Sequence, residues 1–230
     1  MEGTFKERKN RFVAMVEIQG IQEVCHVKNT GRLKELFVPD ATVGLCVSDN
    51  PERKTKYDVI SVVKDGKWIN VDSQAPNIAA GEWIKSGGLG PATVVKAEQS
   101  YITADNSEKA RFDFYVEFDG GKRKAFVEVK GVTLKENGVA LFPDAPTERG
   151  IKHLNVLCDA VKQGYEAYVV FVIQMKGVHT FSPNDKTHPE FGKAWRNAAG
   201  NGVKVIAVDC VSGIDFMAID KKTEVDLSYR

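Results

Sequence analysis

One segment of the chain, residues 111–130, constrains the fold more than any other part of the sequence. It reads Arg-Phe-Asp-Phe-Tyr-Val-Glu-Phe-Asp-Gly-Gly-Lys-Arg-Lys-Ala-Phe-Val-Glu-Val-Lys, two strand-like runs on either side of Gly120-Gly121. Two glycines between such runs predict a β-hairpin with a two-residue turn. Pairing the strands outward from that turn sets Glu117 opposite Lys124, a charge pair that supports the register.

The same register places Asp113 opposite Glu128, with Lys130 two residues further along on the same face. Two opposed carboxylates whose Cβ atoms lie ~5 Å apart repel, and strand pairing alone would not select them. A divalent cation removes the repulsion, and Mg²⁺ takes few protein carboxylates and accepts a phosphate oxygen as a ligand. Lys130 could orient or deprotonate the attacking water. We therefore predict a Mg²⁺- or Mn²⁺-dependent phosphodiesterase site; the alternative is a solvated polar face.

The other face of the hairpin is predicted to be the core side. It consists of Phe112, Phe114, Val116, Phe118, Ala125, Val127 and Val129.

Two further groups are candidates for the same site. Glu98 could supply another metal ligand from the preceding strand, or be a solvated strand residue. Arg149 and His153 lie one turn apart on a helix predicted at 147–163, away from its apolar stripe. Their position near the helix N-terminus suits a DNA phosphate or a contact to the carboxylates; an ordinary capped helix start is the alternative.

The chain divides into two patterns. Residues 12–72 read as five short strands, typical of a small OB-like barrel. A turn-rich stretch at 86–91 is the predicted boundary, which gives domains 1–85 and 86–230. The second domain is predicted as a mixed α/β layer (α+β for the whole chain). Its predicted elements are strands at 93–102, 111–118 and 124–132, a helix at 147–163, a strand at 165–174, a helix at 187–199 and a strand at 203–209.

These residues resemble the sugar fermentation stimulation protein A family over about residues 11–210. The resemblance is carried by Arg11-Phe12, Asn29-Thr30-Gly31, Ser48-Asp49-Asn50, Arg53-Lys-Thr-Lys56-Tyr57, Asp113-Phe114, Glu128-Val-Lys130-Gly-Val-Thr133-Leu134 and Phe142-Pro-Asp-Ala-Pro-Thr-Glu-Arg-Gly-Ile-Lys-His-Leu154.

The resemblance implies an N-terminal OB-like domain and a C-terminal domain like the PD-(D/E)XK restriction endonucleases. It implies DNA binding without marked sequence preference, associated with regulation of sugar metabolism genes. By position, Asp113 and Glu128 take the metal-ligand roles and Lys130 the role of the catalytic lysine. Phe112 stands where the superfamily pattern has proline. The fold alone does not establish cleavage, since folds host many functions.

A basic run with one aromatic residue is the candidate nucleic-acid surface. It comprises Arg53, Lys54, Lys56 and Tyr57, and OB domains hold nucleic acid with a basic groove and aromatic platforms. Arg32 and Arg149 are further candidate contacts. A charge run can equally be a solvated surface.

Charge and cysteine content bound the remaining possibilities. The chain has 32 Lys and Arg residues against 31 Asp and Glu residues. This balance argues against a highly basic protein that coats nucleic acid, but it allows nucleic-acid binding through one face. The four cysteines are too far apart for a CxxC zinc site and predict core thiols in a reduced, cytoplasmic protein. No apolar run is long enough to cross a membrane. We expect a DNA-binding protein with a metal-dependent nuclease site; a non-enzymatic DNA-binding regulator and an RNA-binding or RNA-processing protein are the alternatives, and a homodimer stays open.

Overall fold

The computed structural model describes residues 1–228 as a β-barrel followed by a mixed α/β layer. The barrel strands are β1 (Glu2–Asn10), β2 (Val13–Ile18), β3 (Ile21–Val27), β4 (Thr42–Val47), β5 (Tyr57–Lys64) and β6 (Lys67–Asn70). They hydrogen-bond in the order β3-β2-β1-β4-β5-β6, and parallel pairing of β3 with β5 closes the barrel. The predicted OB-like barrel is confirmed, with one strand more than the sequence indicated. That strand is β1, whose charged run places only Phe5 in the core.

The second part is built on a nine-stranded sheet. Its elements are α1 (Ala75–Lys85), β7 (Ala92–Ile102), β8 (Lys109–Phe118), β9 (Arg123–Val132), β10 (Lys135–Glu136), β11 (Val139–Phe142), α2 (Glu148–Lys162), β12 (Glu166–Ile173), β13 (Thr180–Pro183), α3 (Pro189–Gly200), β14 (Lys204–Ser212) and β15 (Met217–Val225). The strand order is β10-β11-β13-β15-β14-β12-β9-β8-β7. Strands β9, β12 and β14 are parallel neighbours, so the predicted mixed layer with βαβ order at its centre is confirmed.

Helices cover both faces of the sheet centre. On one face α2 and α3 pack over an aromatic cluster in which Phe171 stacks on Trp195 with ring centroids 4.5 Å apart. On the other face α1 contributes Ala80 and Ile84 to a second cluster. Because both faces of β12 are covered, its sequence is almost continuously apolar.

The boundary between the two parts lies before α1, not after it. A Cβ added to Gly81 would lie 3.0 Å from the ring of Phe114, so α1 packs directly on the second sheet. The predicted boundary at 85/86 is therefore wrong, because it assigns α1 to the barrel domain. The glycine-rich stretch at 86–91 that suggested it is the connection from α1 to β7.

Buried hydrogen bonds join the barrel to the sheet. The side-chain amide of Gln174, after β12, donates to the backbone carbonyl of Asn70 at 3.0 Å. Ser61 Oγ on β5 donates to the carbonyl of Ile214 at 2.6 Å. The two parts therefore form a fixed interface along one side of the molecule.

Two further expectations concern the cysteines and the membrane. All four cysteines are free thiols, and three of them are buried. Within residues 1–228, no helix has the length and apolar character that crossing a membrane requires.

Candidate active site

The hairpin of β8 and β9 keeps the predicted register around a longer turn. Glu117 pairs with Lys124, and the last pair before the turn is Phe118 with Arg123. The loop therefore has four residues, 119–122, in which Asp119 and both glycines have positive φ. The predicted two-residue turn is wrong, but the register survives because the loop gains one residue on each side.

The two strands separate at the carboxylate that the sequence singled out. The ladder ends at Phe114 and Val127, one pair before Asp113 and Glu128. Beyond that point the Asp113 side chain takes the place of a backbone acceptor, since its Oδ2 accepts the N–H of Val129 at 2.7 Å. Asp113 is thereby fixed at the opening between two strands.

Strand β8 also changes face at Asp113. The Phe112 ring lies 5.4 Å from that of Phe126 and 6.0 Å from His153, on the side of α2. Phe114 packs under α1 on the other side. The prediction that Phe112 shares a face with Phe114 is wrong, because the strand departs from regular alternation where Asp113 leaves the ladder.

The environment of Asp113 raises its proton affinity. Its Oδ1 accepts a hydrogen bond from Asn77 Nδ2 on α1 at 2.7 Å. Burial, and then the charge of Glu128, raise the pKa of Asp113 above its usual range, against these hydrogen bonds. The two carboxylates therefore interact as the sequence predicted, although they are not a regular ladder pair.

Glu128 is buried at 4% exposure among polar partners. Its Oε1 accepts from Lys130 Nζ at 2.5 Å and from His153 Nδ1 at 2.6 Å. Burial alone would raise the pKa of Glu128, but the hydrogen bond from His153 and the charge of Lys130 hold it below its usual range. The carboxylate is thus ionised and held in one orientation.

His153 links the carboxylate to an exposed cation. Its Nε2 lies 3.4 Å from Nε of Arg149, which is one turn earlier on α2. Because Nε2 accepts a hydrogen bond, the ring proton lies on Nδ1, which donates a hydrogen bond to Glu128. Helix α2 begins after Thr147, whose hydroxyl caps the helix by accepting a hydrogen bond from the N–H of Gly150 at 3.1 Å. Of the two predicted roles for this pair, His153 contacts an active-site carboxylate and Arg149 remains exposed.

The second oxygen of Glu128 fits a bound cation. Glu128 Oε2 is buried and, within the described residues 1–228, has no hydrogen-bond partner. A buried carboxylate oxygen without a donor is costly unless something else satisfies it. Across the same part of the chain, no cluster of three or more His, Cys, Asp or Glu side chains could hold a metal ion. A cation here would therefore have two protein carboxylates and would draw its other ligands from water or substrate, as Mg²⁺ commonly does.

The remaining candidate ligand lies in an irregular part of β7. Glu98 has a φ of +57° between two regular pairs with β8. Its carboxylate is 56% exposed and accepts from Arg111 Nε at 2.7 Å. The structure thus pairs Glu98 with Arg111, and its role as a ligand stays a prediction.

The candidate nucleic-acid run divides into structural and free residues. Arg53 forms two hydrogen bonds with Asp58, at 2.7 and 3.1 Å. Tyr57 is 8% exposed and belongs to the barrel core, so the expectation of a free stacking platform is wrong at this residue. Its position as the first residue of β5 turns the ring inward. Lys54, Lys56 and Arg32 are exposed, so they remain candidate contacts.

Asn77 is the site residue that sequence reasoning missed. It stands in a helix that the sequence only weakly indicates, and its partner Asp113 is far away in the chain. No spacing or motif points to it, because the contact depends on how α1 packs over the sheet.

Two family models match the chain. The model described as "SfsA N-terminal OB domain" matches residues 7–71, and the one described as "Sugar fermentation stimulation protein RE domain" matches residues 74–215. The division between them coincides with the one seen in the structure, before α1.

Individual relatives match over almost the whole length. A sugar fermentation stimulation protein homolog from Ruminiclostridium cellulolyticum is 53% identical over 226 residues, covering 98% of this chain and 96% of that protein. One from Clostridium beijerinckii is 52% identical over 228 residues, covering 99% and 96%. The solved structure of SfsA from Pyrococcus furiosus in complex with Ca²⁺ has a TM-score of 0.85 and 26% identity, covering 98% of this chain and 95% of that chain.

Proposed function

The chain belongs to the sugar fermentation stimulation protein family, and on that premise we propose that it binds DNA and cleaves phosphodiester bonds with a divalent cation at Asp113 and Glu128. The observation that carries the proposal is the buried, unpartnered Oε2 of Glu128 beside a second carboxylate and a lysine. The family member from Pyrococcus furiosus was solved with Ca²⁺, a hard cation that prefers oxygen ligands.

Each residue of the site has a distinct role in this proposal. Asp113 and Glu128 hold Mg²⁺ or Mn²⁺, and the bound ion would supply Lewis-acid stabilisation of negative charge on the phosphate. Val129 and Asn77 fix the Asp113 carboxylate through the hydrogen bonds that they donate. His153 does the same for Glu128, which leaves Oε2 directed away from these donors.

Lys130 supplies the positively charged hydrogen-bond donor of the site. Its ammonium group donates a hydrogen bond to Glu128 Oε1, and its side chain is 23% exposed. It can orient water or stabilise charge on phosphate oxygens while it remains tethered to Glu128. The barrel would hold the nucleic-acid backbone through exposed basic side chains such as Lys54 and Lys56.

The test is a cleavage assay with matched variants. End-labelled single- and double-stranded DNA and RNA are incubated with wild type, Asp113→Ala and Lys130→Ala in Mg²⁺, Mn²⁺ or EDTA. We expect metal-dependent cleavage by wild type and a loss of about 10²-fold or more in each variant. Lys109→Ala, an exposed lysine on the same strand as Asp113, is the control. Equal products from Asp113→Ala and wild type would mean a contaminant and refute the proposal.

A second candidate function, DNA binding without cleavage, is favoured by a different observation. Both oxygens of Asp113 accept hydrogen bonds from the protein. The protein thus satisfies this carboxylate without a cation, although each oxygen keeps a further acceptor site. Under this alternative, wild type binds DNA equally in EDTA and Mg²⁺ and yields no cleavage products with any substrate.

A further inference from the structure

A cleft lies between the barrel and the sheet, next to the carboxylate pair. Its volume is about 230 Å³, and its lining residues include Thr30, Leu33, Pro76, Gly131, Thr133, Phe142 and Gln174. Two of these are chain neighbours of site residues. Gly131 directly follows Lys130, and Pro76 directly precedes Asn77, which binds Asp113. The cleft is therefore connected through the backbone to the elements that carry the proposed site.

The floor of the cleft carries a fixed hydrogen-bond acceptor. Gln174 is 2% exposed, and its Nε2 donates to the carbonyls of Asn70 at 3.0 Å and Asp72 at 3.3 Å. Those bonds orient the amide so that Oε1 faces Gly131, where an added Cβ would lie 2.5 Å from it. Only glycine leaves this oxygen open to the cleft.

A second polar group, the Thr133 hydroxyl, lies in the floor of the cleft. Thr133 is 9% exposed and lines the same cleft. Over residues 1–228 the structure shows no hydrogen-bond partner for the Thr133 hydroxyl or for Gln174 Oε1. Neither oxygen is fully buried, so both are open to the cleft, where a polar ligand can replace water as their hydrogen-bond partner.

The walls of the cleft are mixed, with polar surface from Asn29, Ser73 and Asp144 and apolar surface from four other residues. Leu33 of the barrel and Pro76 of α1 line it together with Leu141 and Phe142 of β11. Small-molecule sites combine apolar surface with polar groups that fix the orientation of the ligand, and this cleft has both. The volume is below the ~300–1,000 Å³ of sites for drug-sized ligands, so it suits a single ring system.

From these observations we infer that the cleft receives one unstacked nucleobase of the bound nucleic acid, and that Gln174 Oε1 accepts a hydrogen bond from its exocyclic amine. The inference rests on the proposed function, because it takes the chain to bind nucleic acid through the exposed basic side chains of the barrel, with the strand passing the proposed site. A base can enter the cleft only from a single strand or after flipping out of a duplex. The substrate class is therefore single-stranded or locally unpaired nucleic acid, with cytosine, adenine or guanine preferred over thymine or uracil at this position.

The test compares two bases that differ at one edge. Fluorescein-labelled dC12 and dU12 are titrated with protein in EDTA, and binding is followed by anisotropy. Cytosine has an amine where uracil has a carbonyl, so a lost hydrogen bond at Gln174 predicts about 5- to 10-fold weaker binding of dU12. Equal affinities of wild type for the two oligomers would overturn the inference.

Two variants locate the preference in the cleft. Thr30 is exposed at the rim, so Thr30→Trp fills the cleft without removing a hydrogen bond. Thr133→Val removes only the hydroxyl. We expect the preference for dC12 to fall to about 2-fold or less in Thr30→Trp and to shrink in Thr133→Val. The matched controls are Gln22→Trp on the barrel for Thr30→Trp and Thr223→Val on β15 for Thr133→Val. Both controls should keep the preference for dC12.

The outcomes separate this inference from the nuclease proposal. A preference that persists in Thr30→Trp would place base reading elsewhere and refute the cleft assignment. Because the titration contains no metal and requires no cleavage, absence of nuclease activity would leave a positive result intact. Conversely, cleavage by wild type without any preference for dC12 would refute only the base pocket.

Discussion

His153 Nδ1 lies 2.6 Å from Glu128 Oε1, and both side chains are buried. This hydrogen bond holds the carboxylate from the side of α2, so His153 is a positioning residue in the proposed site. We predict that His153→Ala lowers the affinity for Mn²⁺ or Ca²⁺ about 10- to 100-fold, the usual effect of losing a group that orients a metal ligand. Isothermal titration calorimetry with each ion measures the affinity directly.

The control for this variant is His179→Ala, which removes an exposed imidazole from the same part of the chain. Its cation affinity should equal that of wild type. Equal affinities of His153→Ala and wild type would show that the hydrogen bond to Glu128 does not support the site.

Divalent cations should stabilise the fold through Asp113. Burial and the charge of Glu128 raise the pKa of Asp113, and a bound cation would relieve both effects. At 100 times the dissociation constant, a ligand of the native state adds about 2.7 kcal/mol to the free energy of unfolding. For a chain of this size that is about 5–10 °C in Tm.

Thermal unfolding with Ca²⁺ and with EDTA measures the shift. Asp113→Ala should abolish it, whereas Lys109→Ala on the same strand should retain it. A full shift in Asp113→Ala would place the cation at another site and contradict the assignment.

Acid should weaken the ion pair between Arg123 and Glu166, next to the turn of the β8–β9 hairpin. The hydrogen bond from Arg123 is the main reason that the pKa of Glu166 falls from its usual 4.5 to about 2. The folded state therefore gains stability above about pH 4.5 and loses it as the pH falls toward 2. Because the Arg123 side chain is 46% exposed, solvent screening makes this contribution to stability small.

Arg123→Gln should accordingly lower the free energy of unfolding more at pH 7 than at pH 2. Urea denaturation at both pH values measures the difference. Arg11→Gln, which removes an exposed arginine from the barrel, is the control. A loss of the same size at both pH values would mean that the effect of Arg123 is not electrostatic.

The sequence predicts local geometry better than it predicts packing between distant elements. The register of β8 and β9 follows from the pairing of Glu117 with Lys124, and it is correct although the turn is longer than expected. The splaying of the strands at Asp113 is not encoded in alternation, because it depends on a side chain that replaces a ladder acceptor.

Contacts between elements far apart in the chain limited the remaining predictions. Strand β1 has a charged sequence because only one of its faces is buried in the barrel. Asn77 reaches Asp113 only through the packing of α1 on the sheet. Tyr57 follows two exposed lysines in a basic run, yet its ring lies in the barrel core. In each case the partner that decides the role is absent from the local sequence.

The exposed lysines of the basic run should account for part of the salt dependence of DNA binding. Lys54 and Lys56 are exposed, whereas Arg53 is held by Asp58 inside the barrel wall. Each phosphate contact contributes ~0.7–0.9 to the slope of log affinity against log salt concentration. Lys54→Ala/Lys56→Ala should therefore weaken binding to all sequences alike and reduce the slope by about 1.5.

Fluorescence anisotropy titrations between 50 and 300 mM salt, roughly the range in which such slopes are resolved, measure both effects. Lys162→Ala/Lys193→Ala removes two exposed lysines from α2 and α3 and should leave the slope unchanged.

Arg53→Ala should behave differently from the lysine pair. It leaves Asp58, a buried carboxylate, with fewer hydrogen-bond donors, so it should lower the Tm as well as the affinity. An unchanged slope in Lys54→Ala/Lys56→Ala would remove this surface from the DNA-binding site, while an unchanged Tm in Arg53→Ala would contradict its structural role.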